Sequence, residues 1–303
     1  AQIFRGTNQY ATYDVMDNIT IQFLNGLVSS MLLFVMAAGL SLMFGQMNVI
    51  NLAHGSFYML GGYVGLSMMR QFQSFWLALI LTPIIVGTIG MIVEYLFIRR
   101  LYGAHRHLDQ VLLTFGIALI AADFIRWNWG SYVVAVAAPQ QLQGQVSFLG
   151  IQFPIYRLSL IAFGLTMAIL LWIIMEHTRI GSIVRAGVSD ARLVSGLGIN
   201  INFVFAGIFA LGTALAALAG VIGAPVHNLY PGLDFEILIL TLAVVVVGGL
   251  GTIRGAFLGS LLIGMADTFG KAFLPELALF VIFAMMAVVL LLRPSGLLGL
   301  QER

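Results

Sequence analysis

Apolar residues gather into nine stretches along the chain, at residues 21–44, 56–69, 75–98, 111–126, 158–175, 203–223, 235–247, 256–269 and 277–292. The longer ones approach the roughly 20 residues that a helix needs to cross a bilayer, and the alternation expected of membrane strands is missing from them. The pattern predicts an all-α polytopic integral membrane protein with eight to nine transmembrane helices, some of them broken or re-entrant. Nine crossings put the N-terminus outside and the C-terminus inside; a re-entrant 45–69 leaves eight and moves the N-terminus in. Residues 1–303 are expected to form one transmembrane domain. The residues from Val146 to Phe153 alternate around Leu149-Gly150, which predicts a small hairpin inside a loop at 127–156.

Three polar interruptions stand out. The first, 45–55, reads GQMNVINLAHG, and the second, 248–255, reads GGLGTIRG. Each leads into a Gly-x-Phe start, Gly55-Ser56-Phe57 or Gly255-Ala256-Phe257, as in paired broken helices of an internal repeat, although Gly-rich membrane helices also match by chance. The third, 176–202, is the longest that also looks helical; a helix is predicted over 182–195, with Gly196 in the left-handed position after it and Asn200 or Asn202 capping the next helix.

Charge sets the orientation. Arg99, Arg100, Arg106, Arg179, Arg185, Arg192, Arg254, Arg293 and Arg303 fall on one side of the alternating spans, and Arg70, Arg126, Arg157 and Lys271 on the other with Asp234, Glu236 and Glu276. The basic side is expected to be cytoplasmic, which makes 127–156 external and 176–202 cytoplasmic.

Composition agrees with a membrane protein: 60% of residues are hydrophobic and 9% charged, against about 25% charged in soluble domains. A formal charge of +2 suggests no nucleic-acid partner, and the absence of cysteine excludes disulfides and thiol chemistry. The first twenty residues lack the basic-then-apolar order of a cleavable signal peptide.

Candidate chemistry is sparse. The one lysine, Lys271, is followed by Ala272, so the chain has no Gly-Lys-Ser/Thr phosphate loop and no ATP site of that kind. Glu94, Asp123 and Asp267 each stand near a basic residue at a span end, where pairing is the ordinary explanation. His105 and His107 lack the further ligands that zinc takes, so no metal site is expected. Asn48, Asn51 and His54 recur every three residues; they fit an aqueous path lined by one helix face, and equally a capped loop with a hydrogen-bonded histidine. The residues alone also leave open a stand-alone channel or carrier, or an enzyme buried in the membrane.

Several blocks then resemble one family. Residues 39–45 (GLSLMFG) with 49–61 (VINLAHGSFYMLG), 231–234 (PGLD), 248–256 (GGLGTIRGA) and 293–299 (RPSGLLG) are similar to the permeases of branched-chain amino-acid type ABC importers, in particular the LivH-type first membrane subunit. The likeness runs from Gly39 to Gly299. It implies a multi-pass bacterial inner-membrane permease with no cofactor of its own, paired with a homologous second permease. Two cytoplasmic P-loop ATPase subunits binding ATP and Mg, a periplasmic solute-binding protein and membrane lipid would be its other partners. Arg185, Ala186, Asp190, Gly198, Ile199 and Asn200 resemble the family's coupling segment, which contacts the ATPase. The translocation path is expected near Asn48, Asn51, His54, Gly55, Gly248, Gly249 and Gly251. Gln46, Asn48 and Leu52 depart from the small or apolar residues common in the first block, which leaves urea, short amides or other small polar solutes beside branched-chain amino acids.

Overall fold

The computed structural model describes residues 3–299 except 48, 103–105, 149–150, 190 and 197, and gives the backbone alone at 3–17, 46, 148, 180, 188–189 and 191–193. The expectations for Asn48, Asp190 and His105 therefore lie outside the described residues. In chain order the helices are α1 (Ile3–Met47), α2 (His54–Phe72), α3 (Phe75–Leu96), α4 (His107–Trp129), α5 (Ile155–His177), α6 (Arg179–Ser189), α7 (Ala191–Gly196), α8 (Ile201–His227), α9 (Leu233–Gly248), α10 (Ile253–Phe273) and α11 (Ala278–Leu292). Each of the nine apolar stretches falls on its own helix. The hairpin forms as expected, β1 (Gln145–Phe148) pairing antiparallel with β2 (Ile151–Pro154), Val146 opposite Phe153.

By length and composition, six of the described helices can cross a membrane, and the α9–α10 pair, bent by 120° at its break, makes a seventh if it is counted as one span. The eight to nine of the sequence pattern come from counting α9 and α10 singly and including α2. The glycines, serines and tyrosines of α2 make it less apolar than a lipid-facing helix. It can be so because nearly all of its first two-thirds is buried in protein.

Burial sorts the helices into a centre and a rim. In the most apolar stretch of each span, 83% is buried in α1 and 67% in α8, but 28% in α3 and α4 and 17% in α5 and in the segment ending with α11. Rim helices thus turn one narrow stripe inward and show Ile80, Ile84, Ile120, Leu279 and Leu291 outward, as a lipid-facing surface requires. In the centre, small residues let backbones approach: Gly39 lies against Gly212, and Gly61 against Ala217.

Local chemistry sets the helix ends. Ser74 Oγ accepts from Leu77 N at 3.3 Å to start α3, and Thr252 Oγ1 accepts from Gly255 N at 3.2 Å to start α10. Asn200 Oδ1 accepts from Asn202 N at 3.1 Å at the start of α8, one of the two caps expected. The left-handed residue after α7 is Gly198, at φ +84°, and not Gly196, because α7 runs through Gly196 itself. Span-end acids pair as expected: Glu94 with Arg99 at 3.0 Å, Asp123 with Arg126 at 3.0 Å and Asp267 with Lys271 at 2.9 Å.

Candidate functional site

The two predicted breaks meet. After Met47, α1 stops, and after Gly248, α9 stops; between these ends Gly45 and Gly251 touch backbone to backbone. A Cβ on Gly251 would stand 2.6 Å from Gly45 Cα, and Gly251 holds φ +82°, a conformation that side chains disfavour. Ser41 Oγ donates to Thr252 O at 3.2 Å across the same junction. Both Gly-x-Phe starts lie in the first turn of the helix after a break, Gly55 packing on the Asp234 backbone and Gly255 on that of Gly248.

A third block closes the junction. The last carbonyls of a helix need donors, and those of α9 get them from the tail: Leu297 N donates to Val247 O at 2.9 Å and Leu298 N to Gly248 O at 3.0 Å. Gly296, at φ +80°, sits so close to Gly249 that a Cβ there would be 2.6 Å from Gly249 N. Sequence segments around 45, 250 and 296 therefore form one structural unit.

The fourth block reaches this unit through charge. Glu176, near the C-terminal end of α5, accepts from Arg254 Nη2 at 3.4 Å and faces Arg185 Nη1 of α6 at 4.0 Å. Arg185 Nη1 also donates to Met175 O. An acid at a helix C-terminus and a base at a helix N-terminus each oppose the helix dipole. Glu176 on α5 and Arg254 on α10 both occupy the disfavoured end, so helix stability does not explain them; their mutual contact does.

Along α6, Gly181, Val184 and Gly187 are buried at a spacing of three, while Ser182, Arg185 and Ala186 are exposed. One face of this short helix is seated on the bundle and the other is open. Val194 of α7 is buried, and Gly198, Ile199 and Asn200 form the turn into α8.

Asn51 and His54 are sealed in. Asn51 Oδ1 accepts from Ala53 N at 3.0 Å, its Nδ2 donates to Met43 Sδ at 3.4 Å, and His54 Nε2 lies 3.0 Å from Met36 O with Nδ1 unpartnered. In this conformation they are a capped turn and a buried, hydrogen-bonded histidine.

Sequence reasoning missed two features. Asp234 is a buried acid at the first turn of α9, with Ser56 Oγ donating to Oδ2 at 3.2 Å and Oδ1 unpartnered; its position in a loop-like stretch hid the burial. The Glu94–Arg99 pair also holds Tyr102, whose OH donates to Glu94 Oε1 at 2.6 Å. Burial first, and this bond second, push the Tyr102 phenol well above the ordinary tyrosine range, and the bond to Glu94 raises the Arg99 guanidinium. At the opposite end of the bundle, burial and then its bond to Glu236 push Tyr230 up to about 12.

No group of three or more His, Asp or Glu able to hold a metal occurs among the described residues. The chain is thus a helical membrane bundle whose broken central helices meet at a glycine junction, with a surface helix seated beside it. The family described as "Branched-chain amino acid transport system / permease component" matches residues 22–290, and this chain belongs to that family.

The high-affinity branched-chain amino acid transport system permease protein BraD of Pseudomonas aeruginosa is 32% identical over 303 residues, 93% of this chain and 96% of that protein. The corresponding LivH of Salmonella typhimurium is 30% identical over 302 residues, again 93% and 96%. A probable LivH of Methanocaldococcus jannaschii is 27% identical over 289 residues, 90% of each. A chain of PsaBC from Streptococcus pneumoniae in complex with Fab aligns at TM-score 0.48 and 12% identity over 88% of this chain and 89% of that one, too distant to carry a functional reading. The chain is thus a multi-pass permease subunit of an ATP-binding-cassette importer, a transport component and not an enzyme.

Proposed function

We propose that this chain is the LivH-type first membrane subunit of a binding-protein-dependent importer that carries branched-chain or similar small amino acids across a bacterial inner membrane. Its partners in this reading are a homologous second permease, two cytoplasmic P-loop ATPases that bind ATP and Mg, and a periplasmic solute-binding protein. The observation that carries the mechanism is Glu176 at the end of α5, which pairs with Arg254 at the start of α10 and lies 4.0 Å from Arg185 of the half-exposed surface helix α6, beside the Gly45–Gly251 contact.

The exposed face of α6, with Arg185 and Ala186, docks in a groove of the ATPase as an amphipathic helix does; Asp190, Gly198, Ile199 and Asn200 shape the rest of the coupling segment. When the ATPase pair closes on ATP, α6 shifts, and Glu176 passes the shift to Arg254. The start of α10 then moves against Gly45, and the tightly packed junction parts in one step, since close-packed interfaces switch between discrete arrangements. Parting it frees the route past Asn48, Asn51, His54, Gly55, Gly248, Gly249 and Gly251.

Affinity purification of the chain from native membranes tests the assembly. Recovery of a P-loop ATPase and a second permease in a fixed ratio to this chain is expected; recovery of this chain alone under conditions that keep other such importers intact would refute the reading.

A further inference from the structure

At the end of the bundle opposite the basic loops, α1, α5, α8 and α10 enclose a cleft of about 390 Å³. Its floor continues, past Ser29, His227, Asp267 and Lys271, into a neck of about 20 Å³ that also touches α2 and α9. The cleft is large enough for a small molecule, since such sites run from roughly 300 Å³ upward. The neck has room for little more than a single water, whose centre needs roughly 10–15 Å³. The neck is too small to hold a solute that fits the cleft.

The walls of the cleft carry both signs of charge. Arg157 gives one of its N–H groups to Asn25 Oδ1 at 2.6 Å, and a guanidinium has further donors in a fork that matches a carboxylate. Lys271 is about half exposed and contacts both oxygens of Asp267, at 2.9 and 3.0 Å; the Asp267 side chain is only 9% exposed. Glu236 lies at the neck beside them, with Oε2 accepting from Tyr230 OH and Oε1 left for a further donor. Beyond these charges the neck is mostly aliphatic, with Leu32, Leu33, Ile237 and Leu240 beside Tyr58.

We infer that this cleft is a solute-binding site for an α-amino acid with an uncharged aliphatic side chain. Its carboxylate lies on Arg157 and Lys271, its ammonium on Asp267 and Glu236, and its side chain points at the aliphatic neck. The balance of charge is what selects a zwitterion. A lone carboxylate must sit beside Asp267 and Glu236, and a lone amine beside Arg157 and Lys271, so each meets a repulsive group that the zwitterion answers. The inference rests on the importer reading and adds to it a recognition site on the permease itself, at the outer mouth of the route and away from both helix breaks.

The test uses the assembled complex in detergent without its solute-binding protein. Saturation-transfer NMR measures contact with L-leucine, with 4-methylpentanoate, which lacks the ammonium, and with 3-methylbutylamine, which lacks the carboxylate. Leucine is expected to bind about tenfold more tightly than either analogue, and Asp267→Asn and Lys271→Gln are each expected to weaken leucine by about tenfold, the worth of one charge-assisted hydrogen bond. ATPase activity stimulated by the binding protein reports intact assembly. If Asp267→Asn loses it, Lys271→Gln, a change at a half-exposed position, decides. Absence of leucine contact in the parent complex, equal contact by the analogues, or undiminished binding in the intact variants overturns the site. A reconstituted parent complex that accumulates no branched-chain amino acid overturns the importer reading instead, whereas uptake with binding that ignores both substitutions overturns only the cleft.

Discussion

The Gly251→Val variant is expected to reach the membrane in much reduced amount and to unfold at clearly lower temperature in detergent than the parent chain. Two costs combine at this residue. Its backbone sits at φ +82°, where a side chain costs about 1–2 kcal/mol, and the added Cβ would stand 2.6 Å from the Gly45 backbone. Overpacking of that kind costs about 1–3 kcal/mol where nothing can yield. Here the opposing atom is main chain, itself fixed between α1 and the first break. The sum is a large share of a typical stability of about 5–15 kcal/mol. Gly116→Ala is the control, because beyond its own stretch of α4 nothing lies within 4 Å of the Cβ that it would add; it is expected to leave both abundance and melting temperature unchanged or slightly raised. Equal behaviour of the two variants, measured by quantitative immunoblot and thermal unfolding, would show that the two breaks are not locked together.

Reversal of the charge at Glu176 is expected to do the opposite: to spare the fold and disable transport. Glu176 and its partners Arg185 and Arg254 are all substantially exposed, at 44%, 45% and 64% of their side chains. Exposed pairs of this kind contribute only about 0–1 kcal/mol to stability, so Glu176→Arg should melt close to the parent. It would, however, set three cations together at the link between α6 and α10. Couplings between sites are typically worth 5- to 150-fold, and uptake per ATP hydrolysed is expected to fall by roughly tenfold or more, within that range. Arg254→Glu alone should do the same, and the two reversals together should restore only the part of the loss carried by the 176–254 pair, since the reversed charge at 176 still repels Arg185 of α6. Uptake and ATPase activity of the reconstituted complex, measured for both single variants and the pair, check this. Single variants that transport like the parent would remove Glu176 from the coupling route.

Much of this architecture is legible in the chain because oil and polarity alternate on the scale of a bilayer. The nine apolar stretches, the hairpin around 149–150, the cap at Asn200 and the span-end pairs of Glu94, Asp123 and Asp267 all follow from local rules of length, alternation and charge pairing. Asn51 and His54 show where local rules stop: a spacing of three fits an aqueous face and a buried turn alike, and the burial of both side chains comes from elements distant in sequence that pack around them. Gly196 and Gly198 lie two positions apart, too little for sequence to separate.

The meeting of 45, 251 and 296 is not visible locally at all, since it joins segments some two hundred residues apart through backbone contacts that leave no side-chain signature beyond glycine. The same is true of the cleft at the far end. Arg157, Glu236, Asp267 and Lys271 come from three helix ends, and in sequence each looks like an ordinary charge at a membrane boundary. The pair Glu176 and Arg254 lies between these extremes: both residues belong to polar breaks that the pattern marks, but their contact appears only when α5 and α10 are seen side by side.

The most direct measurement is uptake of labelled L-leucine into proteoliposomes loaded with ATP, comparing the complete assembly with the same assembly lacking its ATPase subunits and with this chain alone. Accumulation above the outside concentration is expected only from the complete assembly, supplied with its binding protein. Leucine flux through this chain alone, without ATP or any partner, would contradict the account and identify the chain as a channel or carrier in its own right.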